Sequence, residues 1–275
     1  MSNEETFNQI SSDLAAGRTE GVSSMVLRIA EETDDPYEIL KGMSLLKLVP
    51  QDGTESQVAN ILIEKTDSAS AIEVAAALRN LDCPTFALEM LKKAPLKDAT
   101  VRLRCHCLYD IEEYESAYDL YKSIENPVIN DRILLCDILS SIGEHSKSID
   151  ESTKLLNEFP NDYDVRIAYV KSLIMGGRQK DAAKYARAAI KDKTADSNAI
   201  AAYVLRIAGN TKAAGGYASR AVQINPEHVG ALETLGICLA LKEEYDKAKI
   251  VAGAINEISP GDKAAINVLS YCEGH

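Results

Sequence analysis

A chain whose leucines, turn residues and small residues recur at a near-constant interval can fold only by stacking copies of one supersecondary unit. Here Leu108, Leu139, Leu173, Leu205 and Leu239 are each followed nine residues later by Ala117, Ser148, Ala182, Ala214 and Ala248. The steps between those small residues are 31, 34, 32 and 34. Five positions ahead of each small residue stands Gly143, Gly177 or Gly209, replaced by Glu112 and Glu243 in two blocks. Pro160, Pro226 and Pro260 close three of the blocks.

Each recurring residue has a physical task. The leucine sits on a first helix whose apolar residues return at three- and four-residue spacing, as in Leu232, Leu235 and Leu239. Glycine ends that helix where a positive φ is wanted, and proline stops the second helix. A small Ala or Ser lets two antiparallel helices approach closely. Composition agrees: apolar residues make up 46% of 275, aromatics only 5%, with no Trp, so the core is built from Leu, Ile, Val and Ala and leans helical.

A helix–turn–helix unit of this length, with Leu, Gly, Ala and Pro so placed, resembles the tetratricopeptide repeat. The resemblance implies an all-α fold, a right-handed superhelical solenoid of about seven hairpins. Five repeats are expected at 98–128, 129–162, 163–194, 195–228 and 229–262. Residues 1–97 are expected to form divergent hairpins, with Leu78, Ala87 and Leu91 carrying the rhythm in 68–97. In 1–67 Gly17 and Gly53 separate helical stretches, and Asp35-Pro36 looks like an N-cap followed by a first-turn proline; these residues could equally belong to another hairpin class. Residues 263–275 read as a capping helix, with Ala265, Val268, Leu269 and Cys272 on one side, and a tail. Two departures from the family stand out. Its first-helix aromatic is replaced by Val101, Arg132, Arg166, Asn198 and Leu232, and its small residue four places on is Gly only at Gly236.

Such arrays bind peptides or helices along a concave surface lined by their first helices, so the resemblance implies a non-catalytic protein-interaction scaffold. Positions six and two before the leucine and one after it share a helical stripe. They are Arg102, His106 and Tyr109; Ile133, Asp137 and Ser140; Ile167, Lys171 and Ile174; Ala199, Tyr203 and Arg206; and Glu233, Ile237 and Ala240. The stripe mixes apolar anchors, isolated charges and two tyrosines, and Tyr and Arg are favoured at binding hot spots. A solvated helix face is the plain alternative for each. The chaperone-binding carboxylate clamp needs clustered Lys and Asn, which Arg102, His106, Ile133 and Asp137 do not reproduce, so an acidic chaperone tail is not expected.

The net charge of −12 hides an uneven distribution. Residues 98–162 hold 6 Lys+Arg against 14 Asp+Glu, and residues 163–228 hold 11 against 5. Lys180, Lys184, Arg187 and Lys191 fall on one face of a second helix, expected to be convex. This row would suit an acidic protein; nucleic acid is a weaker reading, because the overall charge is negative and no aromatic platform accompanies it. Opposite signs in neighbouring blocks also permit a homo-oligomer sensitive to salt.

No catalytic, cofactor or metal site is expected. Cys105 and Cys107 point about 200° apart on a helix and cannot share an ion. Their periodic placement, with Cys136 and Cys238, says packing. His106, His145, His228 and His275 are scattered, no nucleophile elbow or phosphate loop is present, and Glu112-Glu113 and Glu243-Glu244 sit at turns rather than in a cleft. The first twenty residues carry Glu4, Glu5 and Asp13 without a basic head and apolar run, and no window approaches the ~20 apolar residues of a membrane span, so a cytoplasmic location without membrane insertion is expected.

Overall fold

The computed structural model describes residues 2–259 and 262–272; the stop expected at Pro260, the end of the C-terminal tail and His275 lie outside them. Among the described residues there are seventeen α-helices, one 3-10 turn and no strand. The chain divides between Ile124 and Glu125 into two compact units.

In the first unit, α1 (Asn3–Ala15), α2 (Val22–Glu32), α3 (Pro36–Leu46), α4 (Thr54–Lys65), α5 (Ala71–Asn80), α6 (Pro84–Met90), α7 (Asp98–Asp110) and α8 (Tyr114–Tyr121) pair as four hairpins. Asp35 caps α3 by accepting the Tyr37 N–H, with Pro36 in the first turn. Buried Ile10, Ile29, Met43, Leu62, Leu78 and Met90 form one continuous core. A lysine closes successive second helices. Lys65 Nζ donates to the Ala30, Glu31 and Thr33 carbonyls at the end of α2, and Lys93 Nζ to those of Ile63, Glu64 and Thr66 at the end of α4. A cation there satisfies orphan carbonyls and complements the helix dipole.

The second unit holds four hairpins and a closing helix: α9 (Ile129–Ser141), α10 (His145–Glu158), α11 (Tyr163–Met175), α12 (Gln179–Ala189), α13 (Ala195–Ile207), α14 (Thr211–Ile224), α15 (Val229–Ala240), α16 (Tyr245–Ile258) and α17 (Lys263–Ser270). The first helices α9, α11, α13 and α15 touch their successors directly, and α15 touches α17. They make the inner layer, with α10, α12, α14 and α16 outside. Among the described residues the two units hold four hairpins each.

The repeat is decided at the turns. The carbonyls of Leu108, Leu139, Leu173, Leu205 and Leu239 each accept the N–H five residues on, at 2.7–3.0 Å. The residue between, at 112, 143, 177, 209 or 243, has φ from 64° to 82°. That is the Schellman arrangement, which explains the spacing of leucine and turn residue. Leu78 and Asp82 (φ 57°) repeat it one block earlier, with Cys83 N–H on the Leu78 carbonyl at 2.9 Å. Glu112 and Glu243 therefore hold a conformation that glycine adopts without strain. Glu243→Gly is expected to raise stability by about 0.5–1 kcal/mol, the αL penalty less the entropy of glycine, read as a higher urea midpoint at constant slope.

The leucines are not equally covered. Leu139 and Leu173 are buried, whereas Leu108, Leu205 and Leu239 are half-buried. The position three before each leucine is the tighter one: Cys105, Cys136, Val170, Ala202 and Gly236 are all buried. At two of the five positions where the resemblance leads one to expect an aromatic, an arginine reaches the partner helix instead. Arg132 bridges to Glu151 at 2.7 Å and Glu158 at 2.6 Å on the partner helix α10. Arg166, 7% exposed, donates to Tyr185 Oη at 3.2 Å on α12.

Candidate functional site

The inner layer of the second unit brings five of the expected stripe residues into one electrostatic neighbourhood. Asp137 of α9 lies beside Lys171 of α11, and burial raises its carboxyl above the usual range against the pull of that lysine. Tyr203 of α13 faces Lys171, Arg206, Asp137 and Glu233; burial, more than any neighbour, pushes its phenol up. The Arg206 guanidinium stacks over the Tyr203 ring at 5.4 Å, and its Nε is buried with no hydrogen-bond partner. Glu233 of α15 accepts from Asn267 of α17 at 2.8 Å. Ile133, Ile167 and Ile174 are half-buried against the core and expose the rest of their surface along the same layer.

The remaining stripe positions do not line an open surface. Ile237 is 2% exposed, inside the core cluster with Leu232, Ala252 and Val268. Ala199 and Ala240 are buried as well. Ser140 is turned into the hairpin seam, where Ser140, Ser148 and Ser172 Oγ form a chain with 2.8 Å links and Ser148 donates to the Cys136 carbonyl. Each of these positions is roofed by the next hairpin, which a single-helix stripe does not record. Arg102, His106 and Tyr109 belong to the first unit, on α7; there Arg102 lies 3.8 Å from Asp98 and Tyr109 meets Tyr114 at 5.3 Å.

Sequence reasoning missed the rim at the start of these helices. The Tyr163 ring meets His228 edge-on at 4.6 Å, and His228 Nε2 lies 3.2 Å from Asp196 Oδ1 while its Nδ1 accepts the Ala231 N–H at 3.2 Å. Gly230 leaves room for the phenol, since a Cβ there would stand 2.2 Å from Tyr163 Oη. The signal was present: Asp162, Thr194 and His228 precede successive first helices at cap positions.

On the outer layer Lys180, Lys184, Arg187 and Lys191 are all exposed along α12 and its 3-10 extension. Arg187 Nε donates to its own helix at the Ala183 carbonyl. Cys105, Cys107, Cys136 and Cys238 are buried packing residues, and no described helix is long and apolar enough to cross a membrane.

No family model matches the chain, and no curated protein matches it. Solved structures do. A tetratricopeptide repeat protein from Parabacteroides merdae is 12% identical, over 86% of this chain and 98% of that one, with a TM-score of 0.49. YrrB, described as a TPR protein with an unusual peptide-binding site, is 16% identical over 77% and 97%, at 0.36. MamA from Desulfovibrio magneticus RS-1 is 15% identical over 60% and 96%, at 0.34. What decides the class is the unit itself: two antiparallel helices, one αL turn and one close-contact position, returning through successive hairpins. The fold is a tetratricopeptide-type array. In tetratricopeptide terms, Asp137, Lys171, Tyr203, Arg206 and Glu233 lie on first helices, and the α12 lysines on a second helix.

Proposed function

We propose that the chain is a non-catalytic scaffold whose second unit holds a peptide or helix of another protein along α9, α11, α13 and α15. The observation that carries this reading is the half-exposed Arg206–Tyr203 stack on α13, set among Asp137, Lys171 and Glu233 of the neighbouring first helices. A carbonyl or carboxylate of a partner would pair with the guanidinium's outer N–H groups. Tyr203 beneath supplies a flat amphipathic platform, Ile174 an apolar contact, and Asp137, Lys171 and Glu233 the charges that would set direction.

Affinity capture with the intact chain tests this reading when paired with variants. A partner of this groove is lost on Tyr203→Ala or Arg206→Ala, by about tenfold or more in Kd for each, while melting stays within a few degrees. The same partner survives Lys184→Glu with Lys191→Glu. Capture abolished only by the lysine changes would move the site to the outer face.

The exposed α12 row supports a second docking surface for an acidic protein, and the acid-rich stretch 98–162 makes another copy of the chain one such partner. Light scattering that reports larger particles at low salt, dispersing as salt is raised, would support that association.

A further inference from the structure

In the first unit, two side chains converge on a single carboxylate oxygen of a third. Lys47, the C-cap of α3, places Nζ 2.6 Å from Glu55 Oε1 in the first turn of α4. Cys83, just ahead of α6, donates its S–H to the same oxygen at 2.8 Å. Lys47 Nζ and Cys83 Sγ are thus held on one carboxylate oxygen. The cluster is partly open: Lys47 and Glu55 side chains are 30% and 14% exposed, and Cys83 is 4% exposed. Cys136, by contrast, packs with Leu155 and Val165 in an apolar seam.

The resting charges follow from this geometry. Burial, and then the Glu55 contact, push the Cys83 thiol up to about 12. Burial also disfavours the Glu55 carboxylate, but the bonds from Cys83 and Lys47 outweigh it and hold Glu55 below the usual range. A thiol is inert until something takes its proton; here an ionised carboxylate accepts its hydrogen bond, and the Lys47 ammonium sits on the same oxygen.

We propose that Cys83, Glu55 and Lys47 form a peroxide-oxidised site at which the thiol becomes a sulfenic acid and Lys47 closes it to a sulfenamide cross-link. In the first step the sulfur attacks one oxygen of hydrogen peroxide and the O–O bond breaks. Glu55 takes the S–H proton and hands it to the departing hydroxide, which leaves as water and returns Glu55 to the carboxylate. Sulfur is oxidised by two electrons and peroxide is reduced by the same two. In the second step Lys47, its ammonium proton passed to Glu55, attacks the sulfur; the S–N bond forms, the S–O bond breaks, and the hydroxyl leaves as a second water. Sulfenic acids condense with nitrogen in this way, and excess thiol reverses the link. The product ties the end of α3 to the start of α6, joining two neighbouring hairpins covalently.

The test treats the intact chain with hydrogen peroxide and maps it by proteolysis and mass spectrometry. Expected is a Lys47-containing peptide joined to a Cys83-containing peptide, lighter than the pair by two hydrogens and separated again by dithiothreitol. Lys47→Arg keeps the ion pair to Glu55 but lacks a nucleophilic amine; its fold is checked by circular dichroism. In that variant the link is lost and Cys83 labels with dimedone, whereas the wild-type chain does not. Equal dimedone labelling in both, or Cys83 recovered as sulfinic acid with Lys47 free, overturns the proposal. So does a thiol left intact at Cys83 while the other cysteines oxidise, or a link that retains an oxygen.

Discussion

Leu173→Ala lowers the free energy of unfolding by about 2–5 kcal/mol, as a large-to-small change in a packed core should. Leu173 is fully buried, in a cluster with Val170, Ala182, Ala186, Ile200 and Val204 drawn from α11, α12 and α13. Truncation there removes contacts within its own hairpin and with the next one at once. The same change at Leu205, half-buried at the matching position, is expected to cost less than half as much. Urea denaturation of both variants, compared at constant slope, checks the pair. A larger loss at Leu205 would mean that the seam between α11 and α13 is not where the array is held.

Gly236→Ala is expected to cost about 1–3 kcal/mol through overpacking and to loosen α17. A Cβ at 236 would stand 2.7 and 2.8 Å from the two methyls of Val268 and 3.3 Å from Val251. Valine is stiff at χ1, so the methyls cannot swing aside and the helix carrying them must move. Hydrogen exchange over 263–270 should rise well above that of α13. Unchanged protection of α17 together with unchanged stability would show that the closing helix does not rest on this contact.

The repeat was legible because its marks are backbone necessities. An αL turn closed by a six-to-one hydrogen bond fixes the distance from leucine to glycine whatever else the helix carries. Glu112 and Glu243 broke the glycine pattern without breaking the turn, and Asp82 hid a sixth instance by presenting neither Gly nor Glu. The groove was legible only in part. Spacing alone puts Tyr203 and Ile237 on equivalent stripes, but Ile237 is covered by its neighbours and Tyr203 is not fully so. That difference is made by residues some thirty positions away, such as Val268 beside Gly236. Nor does a lone arginine in a sequence announce that its partner is Glu151 or Tyr185, since those contacts cross a hairpin.

The three linked hydroxyls of Ser140, Ser148 and Ser172 have a consequence for how adjoining hairpins are indexed. Alanine-lined seams, such as that of Ala199, Ala221 and Ala231, are smooth, and smooth surfaces tolerate sliding by a fraction of a turn. Directional O–H bonds between α9, α10 and α11 do not, because slippage would strand buried hydroxyls. That junction is therefore locked in register by directional bonds of a kind that alanine side chains cannot make.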